Sequence, residues 1–458
     1  MLFLYFILII TQYSMSFDLG TTSIRKLLWY YSLPTLIGTL ATALYNVVDR
    51  IYIGQGVGAM AISGMALTFP LMNILGAFGM LVGQGAAARV SLYLGNNNIR
   101  GANVVMSNAV ILTIIIYIIV SSLCLAFLDP ILVAFGGSEF TIPYAREYMQ
   151  IIIPGHIFTS LGYALTNIMR ASGHPRFAMY TLLVGAVLNI IIDPIFIFGL
   201  NLGIKGAAYA TVISMFVSMM WVLRFYFRKD QTLHFSKDTF HINGHAIGAI
   251  LSIGLSPFLL NVSTSLVNLL MNHTLLQYGG DLAIGAFGII TSFTTIVVMS
   301  IIGLSQGMQP IIGYNYGAEL YDRVRDTLKK CIIVATIITA AGWLTGLIAP
   351  TYIARAFTSN THLIDITSHG LRIYICTFFV VGFHIVTTNY FQSIGKAWIS
   401  IILSLSRQIL LLIPFILLFP PFFGLQGAWM AQPTSNIISA VIAAIILSVH
   451  LKQLQKNS

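Results

Sequence analysis

Long apolar runs dominate this 458-residue chain, and they leave few folds open to it. Crossing about 30 Å of hydrocarbon takes about 20 helical residues. Twelve runs approach or exceed that length, at 27–54, 60–88, 103–127, 142–168, 177–199, 206–227, 246–276, 282–306, 329–349, 366–392, 397–419 and 424–449. They lack the period-2 alternation of barrel strands, so they predict transmembrane helices, which satisfy their own backbone groups in lipid. Charged residues make up only 8% of the chain, about a third of what a soluble domain carries. The expected class is an all-α membrane protein with twelve transmembrane helices.

The runs also come twice. At a spacing of about 222 residues, Asn46 recurs as Asn268, Ala61 and Ile62 as Ala283 and Ile284, Gln84 and Gly85 as Gln306 and Gly307. Gly95 returns as Gly317, Ala134 and Phe135 as Ala356 and Phe357, and Gly173 as Gly395. Gly206, Ala207 and Ala210 return one residue out of step as Gly427, Ala428 and Ala431. Twelve helices in two copies means six per copy, so each copy returns to its starting side and the two are parallel repeats. Basic residues orient them: with a cytoplasmic start, 17 of the 23 Lys and Arg fall on the cytoplasmic side, which predicts both termini there. Residues 15–227 form the expected N-terminal six-helix lobe and 246–458 the C-terminal one. The polar stretch 228–245 is the cytoplasmic linker. Residues 1–14 are apolar without a basic flank or cleavage site, and read as an upstream extension or misassigned start before Met15.

Several function classes drop out. The net charge of +10 lies in short loops without interleaved aromatics, so it reflects membrane orientation rather than nucleic-acid binding. Cys124, Cys331 and Cys376 lie in apolar runs with no CxxC or His spacing and read as packing residues. No P-loop is present, so ATP is not the direct energy source. No DDxxD, HExxH or GxSxG pattern supports a membrane-embedded enzyme, and no organic cofactor is expected.

Of thirteen acidic residues, all but Asp49 and Asp193 fall in loops or at helix ends. A mid-helix carboxylate costs about 3 kcal/mol on insertion scales. Pairing with Arg50 would be a structural use for Asp49, but helix neighbours point about 100° apart. Asn189 lies four residues before Asp193, on the same helix face. Thr211 enters from outside, after Gly206, at nearly the depth of Asp193, and Asp49 sits at a similar outer depth. Two carboxylates, an amide and a hydroxyl thus converge on one level. Burial and mutual repulsion would prepare one carboxyl to take a proton, while the same oxygens suit Na⁺; the residues leave both open. Arg407 lies inside the eleventh run, either snorkelling to the cytoplasmic face or lining the inward cavity. His384 in the tenth run reads as a hydrogen-bonded structural residue. Tyr45, Phe69, Tyr163, Phe287 and Phe293 come from helices expected to border a central cleft, joined by Gln306, and such faces suit flat lipophilic cations.

At 32–54 the chain reads SLPTLIGTLATALYNVVDRIYIG, and at 188–211 LNIIIDPIFIFGLNLGIKGAAYAT. With the Gln84-Gly85 helix end, these segments make it resemble the multidrug and toxic compound extrusion (MATE) transporters, from Asp18 to His450. The start at Met15 is similar to a bacterial subgroup of drug and cation antiporters. The resemblance implies a V-shaped pair of six-helix lobes exporting organic cations in exchange for H⁺ or Na⁺. It also implies an ion site on Asp49, Asn189, Asp193 and Thr211. Some relatives place acids in helices seven and ten, where this chain has Asn261, Asn268 and His384.

The leading expectation is therefore a monomeric secondary antiporter of the cell (inner) membrane, exporting small organic cations across the lipid bilayer by alternating access. The alternative is a lipid-linked oligosaccharide flippase of the same superfamily, whose phosphates would favour a basic cavity. Only Arg407 offers an intramembrane cation.

Overall fold

The computed structural model describes residues 18–57, 59–228 and 231–456, with the side chains of Asn46, Val47, Arg50, Ala59, Met60, Ile62, Ser63, Ala66 and Lys456 outside the description. The expectations for residues 1–14, for the start at Met15 and for an Asp49–Arg50 pair therefore lie outside the described residues. The first copy runs through α1 (Ile24–Gly56), α2 (Ala59–Gly95), α3 (Ile99–Ala126), the short α4 (Leu128–Ala134), α5 (Ile142–Ala171), α6 (Pro175–Pro194) and α7 (Gly203–Tyr226). The second runs through α8 (Gly244–Gly317), α9 (Tyr321–Ile348), the short α10 (Pro350–Arg355), α11 (Thr361–Tyr374) and α12 (Val381–Ser393). It ends with α13 (Ala397–Leu405), α14 (Ile413–Leu418), α15 (Pro420–Phe423) and α16 (Leu425–Lys456). No strand occurs among the described residues.

Ten of these stretches are long and apolar enough to cross a membrane, and a bent pair, Thr361–Tyr374 with Phe378–Ser393 at 52°, supplies another. The 74-residue α8 breaks at Gly280, whose φ of 67° and ψ of −168° lie outside helical space in a region that glycine reaches without penalty. Counted as two crossings, α8 brings the described helices into line with the twelve apolar runs. The chain is a multi-pass membrane protein. The tenth run is not one continuous helix as expected: it bends between α11 and α12. Cys376, at that bend, is exposed rather than packed.

Local signals account for the helix boundaries. Asn98, Asn243 and Asn360 cap their helices, the side-chain oxygen accepting from Gly101 N at 2.8 Å, Ala246 N at 3.0 Å and Leu363 N at 3.1 Å. Gly173 and Gly395, one of the duplicated landmarks, end helices with φ of 100° and 75°, so each copy needs a glycine there.

The contacts divide the chain into two compact units: Met1–Gly254 with Gln309–Leu320, and Leu255–Met308 with Tyr321–Ser458. Sequence copies and compact units are thus different divisions, because the C-terminal end of α8 packs into the first unit. Its Asn315 Nδ2 donates to Leu19 O at 3.0 Å and its Gln309 Nε2 to Gln84 O at 3.2 Å. A Cβ on Gly95 would collide with the Tyr314 carbonyl, and one on Gly317 with that of Leu92. At the 222-residue spacing these are the same contact seen from each helix. The linker is packed along α3: Asn103 Oδ1 accepts from His234 N at 3.1 Å, and Asn108 accepts from Asn243 N at 2.8 Å while donating to His241 O at 3.0 Å. The first unit buries Met106, Leu165, Ile168 and Tyr226 among its core; the second buries Met271, Phe287, Leu371 and Trp429.

Candidate functional site

In the first unit, α6 sets the site. Asn189 and Asp193 stand one turn apart, and Pro194 follows at once. A proline inside a helix removes one backbone donor and crowds the preceding turn. Here the helix widens into a π-turn over Ile195–Gly199, a distortion that recurs at functional sites.

Asn189 Nδ2 donates to Asp193 Oδ1 at 3.2 Å and to Thr211 Oγ1, from α7, at 3.3 Å. The Asp49 carboxyl of α1 meets that of Asp193 within hydrogen-bonding distance. All four residues are buried, with Asp193 at 0% exposure. Tyr148 of α5 is buried beside them, near both carboxyls and the Thr211 hydroxyl. Asn189 Oδ1 and Asp193 Oδ2 are buried and accept no hydrogen bond. Two oxygen acceptors without donors are what a bound cation or an added proton would satisfy.

Beside this cluster lies a cavity of about 150 Å³, also within the first unit. Asn189 and Thr211 belong to its wall, along with Tyr45, Phe158 and Tyr163. The wall and the carboxyl cluster therefore share two side chains. Tyr163 is held by Gln84, whose Nε2 donates to its hydroxyl at 3.1 Å; Gln84 is a duplicated landmark, and its contact is to a cavity residue.

The other residues expected around a substrate lie outside the wall of this cavity. Phe69, on α2, is 51% exposed and outside the cavity wall. Phe287 is buried in the core of the second unit, its ring 6.2 Å from that of Tyr374 and 6.4 Å from that of Trp429. Phe293 packs partly buried against the same core. Gln306 is half-buried on α8, and Arg407 lies in the second unit in a π-turn over Ser406–Leu412. Tyr148 was not anticipated. Its position in the seventh place of α5, close to the start of that helix as Thr211 is to the start of α7, was the available signal. Among the described residues no group of three or more His, Cys, Asp or Glu side chains could hold a metal ion.

The MatE family model matches residues 34–195 and 257–418, one match in each copy. The chain is 28% identical over 426 residues, 93% of its length and 94% of the relative's, to the multidrug export protein MepA of Staphylococcus haemolyticus (strain JCSC1435). It is 26% identical to MepA of Staphylococcus aureus (strain MSSA476), covering 92% of this chain and 93% of that one. Among solved structures, it is similar to an outward-facing multidrug resistance MATE family transporter with a TM-score of 0.89 at 24% identity, covering 97% of this chain and 99% of that one. A MATE protein in the straight conformation gives 0.89 at 25% identity, with the same coverage.

Proposed function

The chain belongs to the MatE family, and from that premise we propose that it is a secondary antiporter exporting lipophilic organic cations in exchange for H⁺ or Na⁺. It works as a monomer in the cell (inner) membrane, with both termini cytoplasmic. One observation supports this reading above others: the Asp49–Asp193 cluster and the neighbouring cavity share Asn189 and Thr211. The names of the MepA relatives as multidrug export proteins point the same way.

The coupling follows from the shared side chains. Carboxyls in hydrogen-bonding contact hold a proton between them. When a cation arrives or leaves, the negative charge on Asp193 changes, and so does its hold on the Asn189 amide. That amide is divided between Asp193 and Thr211, so both cavity-wall groups shift their hydrogen bonding. Ion and drug then favour different arrangements of the same wall, and each lowers the affinity for the other. Transport requires that both bind the two states of the protein unequally. A single inward charge moving through 100 mV supplies about 2.3 kcal/mol to bias those states. The aromatic cavity wall of Tyr45, Phe158 and Tyr163 suits flat cations through their ring faces.

The test is dye export from proteoliposomes with Na⁺ and pH gradients imposed separately. Asp49→Asn and Asp193→Asn should each abolish gradient-driven export while leaving the protein folded in the bilayer. Coupled export persisting in both variants would overturn the reading, and the gradient that drives the wild type identifies the ion.

A further inference from the structure

The duplicated register carries the cavity wall of the first unit onto definite residues of the second. At a spacing of 222, Gly162 and Gly185 fall on His384 and Arg407; at the 221 set by Gly206 and Gly427, Thr211 and Met215 fall on Gln432 and Asn436. The first four line the cavity beside the carboxyl cluster. Their counterparts replace two glycines and a methionine by an imidazole, a guanidinium and an amide. Local contacts agree with this register. Gly185 lies against the Ser214 backbone, and Arg407 O accepts from Ser435 Oγ, the counterpart of Ser214, at 2.6 Å.

Around the two matching places the polar groups left unmade differ in kind. Beside the first cavity they are the acceptors Asn189 Oδ1 and Asp193 Oδ2, with the Thr166 hydroxyl, which accepts as well as donates. In the second unit, Arg407 Nε and Asn436 Nδ2 are buried donors with no acceptor. The amides form a directed chain: Tyr374 O–H donates to Gln432 Oε1 at 3.3 Å, and Gln432 Nε2 donates to Asn436 Oδ1 at 3.1 Å. Asn436 Nδ2 is therefore the terminal donor of that chain. The Arg407 charge stands close to Tyr374 and to His384, whose Nε2 is also buried without a partner. No carboxylate among the described residues pairs with Arg407. The residue as a whole keeps partial exposure. A buried charged donor left unmade is costly and is ordinarily matched.

We propose that the second unit carries an anion subsite, formed by the Arg407 guanidinium and the Asn436 amide, for a carboxylate or phosphoryl oxyanion. The guanidinium fork presents parallel donors to two oxygens of such a group, and Asn436 adds a third from α16. This goes beyond the antiport reading and is tested by binding alone, without an ion gradient, so failure of one leaves the other standing.

The experiment uses the full chain in phosphatidylcholine nanodiscs and two dyes differing in one group: rhodamine B, with a free carboxylate, and its ethyl ester. Fluorescence anisotropy gives both affinities, and native mass spectrometry measures retention of added phosphatidylglycerol. Arg407→Gln should weaken rhodamine B about ten- to hundredfold, the range of a charged hydrogen-bonding group, and the ester less than about twofold by the same reasoning. Arg407→Lys should restore part of the difference. Asn436→Asp keeps the acceptor for Gln432 but sets a carboxylate against Arg407, and should displace the anion as Arg407→Gln does. If the variants leave rhodamine B unchanged but release phosphatidylglycerol, the subsite stands with a lipid phosphate as its source. The proposal is overturned if both dyes weaken equally, or if neither rhodamine B nor phosphatidylglycerol responds to Arg407→Gln and Asn436→Asp.

Discussion

Gly95→Ala should destabilise the protein sharply, although it adds one methyl group at the end of a helix. In the structure a Cβ at Gly95 runs into the carbonyl oxygen of Tyr314 and stands 2.9 Å from Ala318 N. Both obstacles are backbone, so no rotamer change relieves them and α2 must separate from the end of α8. Overpacking costs about 1–3 kcal/mol, and a backbone collision belongs at the upper end. Gly76→Ala is the internal control: it lies in the same helix, its Cβ meets nothing within 4 Å, and alanine there gains up to about 1 kcal/mol of helix propensity. The two variants should therefore differ by about 3–4 kcal/mol in opposite directions. Gly317→Ala makes the reciprocal collision with Leu92, and one helix shift relieves both. The double variant should fall short of the sum by about 1 kcal/mol or more, as expected for sites in contact. Equilibrium unfolding in mixed micelles measures all four. If Gly95→Ala and Gly76→Ala lie within about 0.5 kcal/mol of one another, below the size of any overpacking cost, the close crossing is refuted.

Three further outcomes are expected. Tyr148→Phe removes a buried hydroxyl beside Asp49, Asp193 and Thr211 but nothing from the cavity wall. It should weaken coupling-ion affinity about 2- to 12-fold, the worth of a hydrogen bond of 0.5–1.5 kcal/mol, with dye affinity at zero gradient unchanged; isotope binding separates the two. Asn108→Ala breaks both ties to the linker at Asn243 and His241, loosening it by about 2 kcal/mol, so trypsin cleavage within 228–245 should quicken about 30-fold. Burial holds the His174 ring below its ordinary 6.5, so the folded protein favours the neutral form. That contribution is complete above pH 6.5 and is lost as pH falls, because the unfolded chain takes up a proton that the folded one resists. Between about pH 7 and about pH 5, spanning that range, the melting temperature of the wild type should drop further than that of His174→Gln. An equal drop would show that the ring contributes nothing.

Much of the architecture was legible because its causes are local. Lipid embedding follows from run length, and the cost of a carboxylate in hydrocarbon singles out Asp49 and Asp193 wherever their helices pack. The four-residue spacing of Asn189 and Asp193 places them on one face, as their 3.2 Å contact shows. The recurrence of Gly173 as Gly395 follows from a backbone conformation each copy needs.

Packing decided the rest. The lipid-facing and protein-facing sides of these helices are both apolar, so periodicity does not say which way a residue such as Phe287 or Tyr148 turns. Phe287 was expected on a helix bordering a cleft, and its ring packs against Trp429. The contacts of Tyr148 with Thr211, Gln84 with Tyr163 and Asn315 with Leu19 join residues far apart in sequence. They depend on helix rotation and depth, which a run of leucines and isoleucines leaves open. The sequence by itself determined that two copies of a six-helix unit lie in a membrane and that the first bears the costly acids. Only the tertiary structure decided which side chains meet those acids, and that the matching place in the second copy is furnished with donors around Arg407. Hydrophobicity is summed along the chain, whereas hydrogen bonds are made across it.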